Sequence, residues 1–284
     1  MRRVLLIGAG GMLGRAWAHG LRWNGIEHEA VDVPAVDLSR PETLDAIAWT
    51  RFDTVINCAA WTDVDGAETK EAEATAVNGA GVRAIAERRA SSAVLVHYST
   101  DYVFSGDATE PYPIDGPLAP LNAYGRSKAA GEEAIRDVGG EFLILRTSWL
   151  YAPWGNNFVR TMAKLGRERS ELRVVDDQRG RPTSAQHLAR ASMDLLRKSA
   201  RGTLHVTDGG SCTWYELAKA TIAHVAPQCV VHPCTTAEFP RPAKRPAYSV
   251  LDLAPTEAIL GPLPSWKHNL DAVLDELDVL ASRQ

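Results

Sequence analysis

Cysteine is scarce in this chain of 284 residues, and its few cysteines do not form metal or redox motifs. The four are Cys58, Cys212, Cys229 and Cys234. No two of them form a CxxC pair, and no histidine stands at zinc-finger spacing from them. The pattern excludes a disulfide-stapled scaffold and a zinc finger, and it indicates reduced thiols in a reducing compartment.

Long apolar runs are missing as well. No stretch reaches the ~18 apolar residues that a membrane-spanning helix needs. The first residues, MRRVLLIGAGGMLG, place arginines before an apolar run as a signal peptide does, but the run is too short and glycines interrupt it. We therefore expect a cytoplasmic protein with no membrane partner.

The chain also lacks a surplus of positive charge. Its 31 lysines and arginines face 35 aspartates and glutamates, so the formal net charge is −4. This balance argues against a nucleic-acid partner, which would require clustered basic residues. An anionic small ligand held in a local basic pocket stays compatible with it.

What the chain does contain is an alternation of short apolar strands with longer helical patterns. The predicted strands are VLLIG, HEAVD, TVINCAA, AVLVHYST and EFLILRTS, and the predicted helices between them cover 12–23, 67–89 and 123–138. Apolar strands that alternate with helices predict a parallel sheet covered on both faces. Right-handed crossovers then give a Rossmann-type, doubly wound α/β fold.

The second half is less regular. Helices are predicted at 157–165, 187–196, 213–225 and 270–280, and the segment 233–246, rich in proline and basic residues, is expected to be an ordered loop. We expect residues 1–150 to form a dinucleotide-binding domain. Residues 151–284 should form mainly a smaller, interwoven substrate-binding lobe, with parts of the later chain returning to the main sheet.

A glycine motif follows the first predicted strand and opens the first helix. Gly8, Gly11 and Gly14 form G-x-x-G-x-x-G. Gly8 permits the tight turn, Gly11 lets the backbone approach a pyrophosphate, and Gly14 allows close helix–sheet packing. The helix N-terminus favours the negative charge of that pyrophosphate. Strand and helix context together predict a dinucleotide site.

The cofactor preference depends on the end of the second strand. Asp32 stands there, 18 residues after Gly14, where a carboxylate holds the adenosine ribose hydroxyls. Such a carboxylate repels a 2′-phosphate, so the sequence favours NADH over NADPH. Arg15 stays open as a residue that could accept a 2′-phosphate.

A second group of residues suits proton transfer. Tyr124 and Lys128 are four residues apart on a predicted helix and share a face. An ordinary tyrosine pKa of ~10 is high for acid–base chemistry, and a nearby ammonium would lower it. Thr100 ends the AVLVHYST strand and can hydrogen-bond a carbonyl oxygen as charge develops there. Y-x-x-x-K alone is more typical of a solvated helix face, but with Thr100 and the glycine motif it indicates reduction of a ketone.

These motifs resemble the extended short-chain dehydrogenase/reductase family. More narrowly, STDYVF, PLNAYGRSK, RTSWLYAPWGNNF, DDQRGRPT, TWYEL and RPAKRPAYSVLD resemble its dTDP-4-dehydrorhamnose reductase subgroup in order and spacing, over essentially the whole chain. The resemblance implies hydride transfer from NADH or NADPH to C4 of a nucleotide-sugar substrate, dTDP-4-dehydro-L-rhamnose. The alternatives are a related 4-ketoreductase of another deoxysugar, and a catalytically quiet protein like the regulatory subunit of methionine adenosyltransferase.

The resemblance also implies roles for individual residues. Tyr124 is the expected proton donor, Lys128 binds the nicotinamide ribose and tunes Tyr124, and Thr100 stabilises the transition state. The sugar is expected to contact Thr100, Asp101 and Trp149. The cofactor is expected along Gly8, Gly11, Met12, Leu13, Gly14, Asp32, Asp37, Leu38, Ala59, Ala60, Thr62, Tyr98, Tyr124 and Lys128.

Other residues have two interpretations each. The indole of Trp149 could stack on the sugar or pack in the core. The basic residues of segment 233–246 could bind a diphosphate or form a solvated cluster, and Arg245 among them is a candidate for substrate binding. Asn156 and Asn157 are expected to cap the following helix rather than contact ligand.

One departure from the family concerns metal. Some members pair across a metal held by glutamates, and the matching positions here hold Ala16 and Gln186, which offer no carboxylate. The remaining candidate, Glu276, could not hold an ion alone. We therefore expect no metal, and a monomer or weak homodimer.

Overall fold

A parallel β-sheet forms the centre of the structure, a computed structural model that describes residues 1–281. The strands are β1 (Arg3–Ile7), β2 (Glu27–Val31), β3 (Thr54–Asn57), β4 (Val94–Thr100), β5 (Phe142–Thr147), β6 (Leu150–Tyr151), β7 (Glu171–Val175), β8 (Arg179–Gly180), β9 (Thr183–Ser184), β10 (Gly202–His205), β11 (Cys212–Thr213) and β12 (Val230–Cys234). Six of them form one sheet in the order β2–β1–β3–β4–β5–β10, with every neighbouring pair parallel. The chain builds outward from β1 in both directions, and in such sheets ligands bind outside the carboxyl ends of the strands at this reversal.

Helices cover both faces of this sheet. They are α1 (Met12–Trp23), α2 (Val64–Ala67), α3 (Glu71–Thr75), α4 (Gly81–Arg88), α5 (Ala123–Val138), α6 (Phe158–Glu168), α7 (Ala185–Arg197), α8 (Trp214–Val225), α9 (Ala254–Leu260) and α10 (Trp266–Ala281). Val4 and Leu6 of β1 pack in one cluster with α1 and α7, whereas Leu5 and Ile7 pack in another with α4 and α5. Successive side chains of a strand point to opposite faces. The structure thus confirms the Rossmann-like, doubly wound sheet.

The longest helices, α5 and α10, each have 16 residues. Nowhere between residues 1 and 281 does a helix combine the length and the apolar character that a membrane span requires.

The predicted helix 67–89 is wrong as one continuous element. In its place the structure has α2, α3, a π-helical turn at Ala76–Ala80, and α4. Asp63 accepts a hydrogen bond from the N–H of Gly66, so the first piece begins earlier than predicted. In the π turn, the buried side chain of Asn78 bonds both the N–H and the carbonyl of Trp61. These tertiary bonds interrupt a segment whose alanine content alone favours a continuous helix.

The chain beyond β5 builds a lobe beside the sheet and then returns to the sheet. Helices α6 and α8 pack together with the parallel pair β7–β12, and β8 pairs antiparallel with β11. The predicted loop 233–246 is wrong for Pro233 and Cys234, which end β12, because their partner β7 was not detected in the sequence. Strand β10 joins the main sheet beside β5. The domain boundary at residue 150 stays a prediction.

Candidate active site

A cleft of about 650 Å³ opens at the carboxyl ends of the central strands and collects most of the predicted site residues. Those that line it are Gly8, Gly11, Met12, Leu13, Asp32, Asp37, Leu38, Ala59, Ala60, Thr62, Tyr98, Thr100, Tyr124, Lys128 and Trp149. Gly14, Asp101 and Arg245 are not among its lining residues. Lining residues that the sequence analysis did not assign to the site include Val33, Val36, Cys58, Trp61, Val77, Ser99, Thr147, Ser148 and Leu150.

The glycine turn has the form that its sequence predicted. Gly8 has φ +79°, and a Cβ there would lie 2.5 Å from the backbone nitrogen of Ala59. A Cβ on Gly14 would overlap the carbonyl oxygen of Gly8, so Gly14 serves helix–strand contact rather than the cleft wall. At Gly11 the nearest atom to a Cβ would be 3.5 Å away, which leaves that side open to a ligand. Helix α1 begins there with no side-chain cap and no acidic residue in its first turn, which suits a pyrophosphate.

Asp32 is tied to this turn by its carboxylate. One oxygen accepts the N–H of Gly10 at 2.5 Å, and the other accepts the N–H of Val33 at 2.8 Å. The guanidinium of Arg15 lies elsewhere, 5.1 Å from the ring centre of Trp154, and lines a second cleft. Among the described residues that line the main cleft, Lys128 is the one lysine or arginine. The cleft wall around Asp32 therefore presents a carboxylate, and no described lysine or arginine other than Lys128 lines the cleft.

Helix α5 positions Tyr124 and Lys128. Its N-cap residue is Asn122, whose side chain accepts the N–H of Gly125 at 2.8 Å. One turn separates the two residues, and both face the cleft. The ammonium of Lys128 donates to the carbonyl of Tyr98 at 2.6 Å, and burial lowers the pKa of Lys128 to about 8.

The pKa of Tyr124 is shifted in the direction opposite to the one predicted from the sequence. Burial, and then the charge of Asp101, raise the pKa of Tyr124 above its ordinary value, while a hydrogen bond with Thr100 opposes the shift. The expectation that Lys128 lowers this pKa is wrong for this structure, because its ammonium is directed to a backbone carbonyl. A raised pKa keeps the phenol protonated at neutral pH, which is the form that a proton donor needs.

Thr100 and Asp101 share a hydrogen bond at the end of β4. Thr100 Oγ1 donates to Asp101 Oδ1 at 2.9 Å and accepts the N–H of Tyr102 at 3.2 Å. Asp101 is buried, and this burial raises its pKa to about 7, while the hydrogen bond from Thr100 opposes the shift. A hydroxyl has a single proton to donate. While Asp101 is ionised, that proton of Thr100 is held by the carboxylate.

A buried histidine lies beside Lys128. His97 Nε2 lies 3.5 Å from Lys128 Nζ, and its Nδ1 lies 3.2 Å from the side-chain nitrogen of Asn57. The N–H of Ala59 fixes the other amide atom of Asn57 at 3.1 Å. Burial, and then the charge of Lys128, lower the pKa of His97, so it is neutral at neutral pH. Sequence analysis missed this residue, although a histidine inside the apolar run VLVHYST was a detectable signal.

The two remaining residues predicted to contact the substrate, Trp149 and Arg245, differ in their position relative to the cleft. Trp149 lines the cleft, and its indole stacks on that of Trp214. Arg245 is 16% exposed and pairs with Asp65 at 3.1 Å. Its role in substrate binding stays a prediction.

The two asparagines before α6 also differ from each other. Asn157 caps α6 by accepting the N–H of Arg160 at 3.0 Å, as predicted. Asn156 does not cap the helix and instead lines the cleft, so the capping prediction is wrong for it.

The positions expected to match the metal-binding residues of some family members, Ala16 and Gln186, have different surroundings in this structure. Ala16 is buried in the core beside α7. Gln186 donates from its amide to Glu276 at 3.1 Å. In the described part of the chain, no group of three or more histidine, cysteine, aspartate or glutamate side chains is placed to hold an ion.

Comparison with known proteins provides evidence that is independent of the geometry of the cleft. Residues 1–279 match the family model described as the RmlD substrate binding domain. A probable dTDP-4,6-dihydroxy-2-methyloxan-3-one 4-ketoreductase from Streptomyces antibioticus is 42% identical over 99% of this chain and 96% of its own length. A dTDP-4-dehydrorhamnose reductase from Burkholderia thailandensis is 38% identical over 97% of this chain and 99% of its own. The crystal structure of a dTDP-4-dehydrorhamnose reductase from Bacillus anthracis in complex with NADP is similar at 37% identity, with TM-score 0.91, covering 97% of this chain and 99% of that chain.

Proposed function

Because the chain belongs to the dTDP-4-dehydrorhamnose reductase family, we propose that it reduces the C4 ketone of dTDP-4-dehydro-L-rhamnose to give dTDP-L-rhamnose. The observation that carries the proposal is the meeting of Tyr124, Lys128 and Thr100 in the same cleft that the glycine turn opens. A bound NADH or NADPH supplies the hydride. The residues of the chain then have to hold the sugar and deliver one proton.

Tyr124 delivers that proton to the C4 oxygen. Its hydroxyl stays protonated at neutral pH, since burial raises its pKa. Lys128 supplies positive charge beside the reacting atoms, from a side chain that is 3% exposed. Thr100 hydrogen-bonds the oxygen as negative charge develops on it. Asp101 sets whether the proton of Thr100 is free for that bond.

Replacement of Tyr124 by Phe tests the proposal. Loss of a general acid lowers turnover by roughly 100-fold or more, and cofactor binding followed by fluorescence quenching stays near that of the wild type. Tyr102→Phe is the matched control, since its ring meets that of Tyr124 edge-on at 6.0 Å but does not line the cleft. Wild-type turnover in Tyr124→Phe would refute Tyr124 as the proton donor. Tight cofactor binding by the wild type without turnover would favour the regulatory alternative.

A related 4-ketoreductase of another nucleotide deoxysugar is the second candidate. It is favoured by the 42% identity to the Streptomyces antibioticus ketoreductase. The two functions differ in the sugar and in the configuration at C4 of the product. Incubation with dTDP-4-dehydrorhamnose and the related 4-keto sugars, followed by NMR assignment of C4, separates them.

For the cofactor we propose a preference for NADH. The support is the carboxylate of Asp32 in the cleft wall and the position of Arg15 over Trp154, away from it. The Bacillus anthracis relative is in complex with NADP, so the preference is proposed for this chain alone.

We also propose a cytoplasmic location and a monomer or weak homodimer. The location is supported by four cysteines that are all free thiols in the structure. The assembly is supported by the side chain of Gln186, which is a neutral amide bonded to Glu276 and not a second carboxylate.

A further inference from the structure

The indole of Trp149 lies in a slot between two residues that the proposed reaction does not use. Trp214 stacks on it with ring centres 3.6 Å apart and planes 11° from parallel. On another side lies Gly180 of β8. Both belong to motifs noted in the sequence, DDQRGRPT and TWYEL, to which no role has been given so far.

A glycine is needed at position 180 because the Trp149 indole leaves no room for a side chain, and not because of the backbone conformation at that position. Its φ lies outside the left-handed region, so an L-residue could adopt the conformation. A Cβ at this position, however, would lie 2.6 Å from Cε2, 2.7 Å from Cζ2 and 2.9 Å from Nε1 of Trp149. Real Cβ atoms essentially never approach other atoms so closely. Any side chain at 180 therefore displaces the indole.

The fold supplies both walls of the slot from one short ribbon. In the antiparallel pair β8–β11, Gly180 lies opposite Cys212, and Trp214 follows β11 as the first residue of α8. Thr213 and Glu216 form a capping box that fixes this helix start. The slot is thus built by the lobe, independently of the glycine turn.

The backbone conformation of Trp149 indicates that the surrounding residues hold its indole in this position. Its φ is +47°, a conformation that residues other than glycine rarely adopt. Such conformations are strained and persist where the surrounding structure holds them in place. With one face on Trp214, the indole keeps surface that lines the cleft beside Thr100 and Tyr124.

We propose that Gly180 and Trp214 are specificity-determining positioning residues, which hold the Trp149 indole as a fixed wall for the deoxysugar ring. The inference rests on the proposed function. A rigid aromatic wall fits the apolar C–H face of a 6-deoxysugar and fixes which face of C4 meets the hydride. Displacement of such a wall by about 1 Å is enough to cost up to about 100-fold in rate.

The test uses G180A, W214L and W214F in the full chain. For G180A and W214L we expect a rise of roughly 10-fold or more in KM for the nucleotide sugar, with a smaller fall in kcat, in line with a displaced wall. The Kd for NADH stays unchanged. W214F keeps an aromatic face and recovers most of the sugar affinity. Gly20→Ala, a glycine of α1 whose Cβ would meet the flexible end of Met193 at 3.2 Å, is the matched control and leaves all constants unchanged.

Circular dichroism gives a readout that does not depend on activity. Two indoles in stacked contact give an exciton couplet, which G180A alters and both Trp214 variants abolish. Trp23→Phe, which removes a tryptophan that is 83% exposed, leaves the couplet intact. An unchanged sugar KM in folded G180A and W214L overturns the proposal. If the wild type itself shows no turnover, the proposed function fails separately, and the slot is judged by the couplet and by the Kd for dTDP-rhamnose.

Discussion

The hydroxyl of Thr100 donates its proton to the carboxylate of Asp101, across 2.9 Å at the end of β4. Thr100 therefore cannot donate to a substrate oxygen while Asp101 is ionised, because a hydroxyl carries one proton. A protonated Asp101 can itself donate to Thr100 and free that proton. The charge on Asp101 thus decides which hydrogen bond Thr100 makes.

The first prediction is a pH dependence of activity. Burial raises the pKa of Asp101 to about 7. As pH rises through this value, Asp101 ionises and accepts the hydrogen bond of the Thr100 hydroxyl, which is then not available to the substrate oxygen, so kcat/KM falls. A pH–rate profile across the neutral range measures this, and D101N removes the inflection because its side chain does not titrate. An inflection that persists in D101N at the same pH would contradict the assignment.

The second prediction concerns stability. The folded pKa of Asp101 lies above its unfolded value of about 3.9, so its contribution is fully present below that value and is lost as pH rises through about 7. The D101N variant lacks this loss. Its Tm relative to the wild type should therefore increase between about pH 5 and about pH 8. Thermal unfolding at the two pH values tests this prediction. A Tm difference between D101N and the wild type that is the same at both pH values would refute it.

The third prediction concerns the cofactor. D32S removes the charge that repels a 2′-phosphate and shifts the ratio of kcat/KM toward NADPH. It also breaks side-chain bonds to the N–H groups of Gly10 and Val33, so affinity for both cofactors falls and the ratio is the proper readout. R15A is the control and leaves the ratio unchanged. A wild type that strongly favours NADPH would show that another group dominates the site.

The fourth prediction concerns the ion pair beneath the active site. Glu132 of α5 accepts two hydrogen bonds of 2.8 Å from Arg146 of β5, and both side chains are at most 2% exposed. E132Q leaves a buried guanidinium without its counter-charge and costs about 3–5 kcal/mol of unfolding free energy. E71Q breaks the exposed pair with Arg126 and costs less than about 1 kcal/mol. Urea unfolding measures the unfolding free energy of each variant, and an equal loss in E132Q and E71Q would contradict this prediction.

The fifth prediction concerns metal and assembly. Magnesium needs hard oxygen ligands, usually carboxylates, and the amide of Gln186 is bonded to Glu276. Activity and sedimentation should therefore be the same with magnesium and with EDTA. A dimer that dissociates on chelation, or activity lost with it, would show that other ligands hold an ion.

Sequence reasoning succeeded where the pattern is local. Helices α1 and α5 have the predicted bounds, and the glycine turn has the predicted contacts, because periodicity and turn sterics are properties of neighbouring residues. The spacing of Tyr124 and Lys128 likewise placed both in one cleft.

It failed where the partner is distant in the chain. The bond from Lys128 to the carbonyl of Tyr98 and the stack of Trp149 on Trp214 both depend on how separate elements meet. Neither contact produces a periodic pattern in the sequence, because each joins single residues of different elements. The same reason explains why β7 was missed: its exposed and buried residues alternate over five positions only, and its partner β12 lies far along the chain.

Strand β10 has a consequence for synthesis. Its position beside β5 means that the edge of β5 stays unpaired on the ribosome until residues 148–201 and then 202–205 have emerged. An unprotected edge of an apolar strand is a template for other chains. Translation that stalls within 148–201 should therefore yield nascent chains that aggregate, and holdase chaperones should engage this protein during that interval.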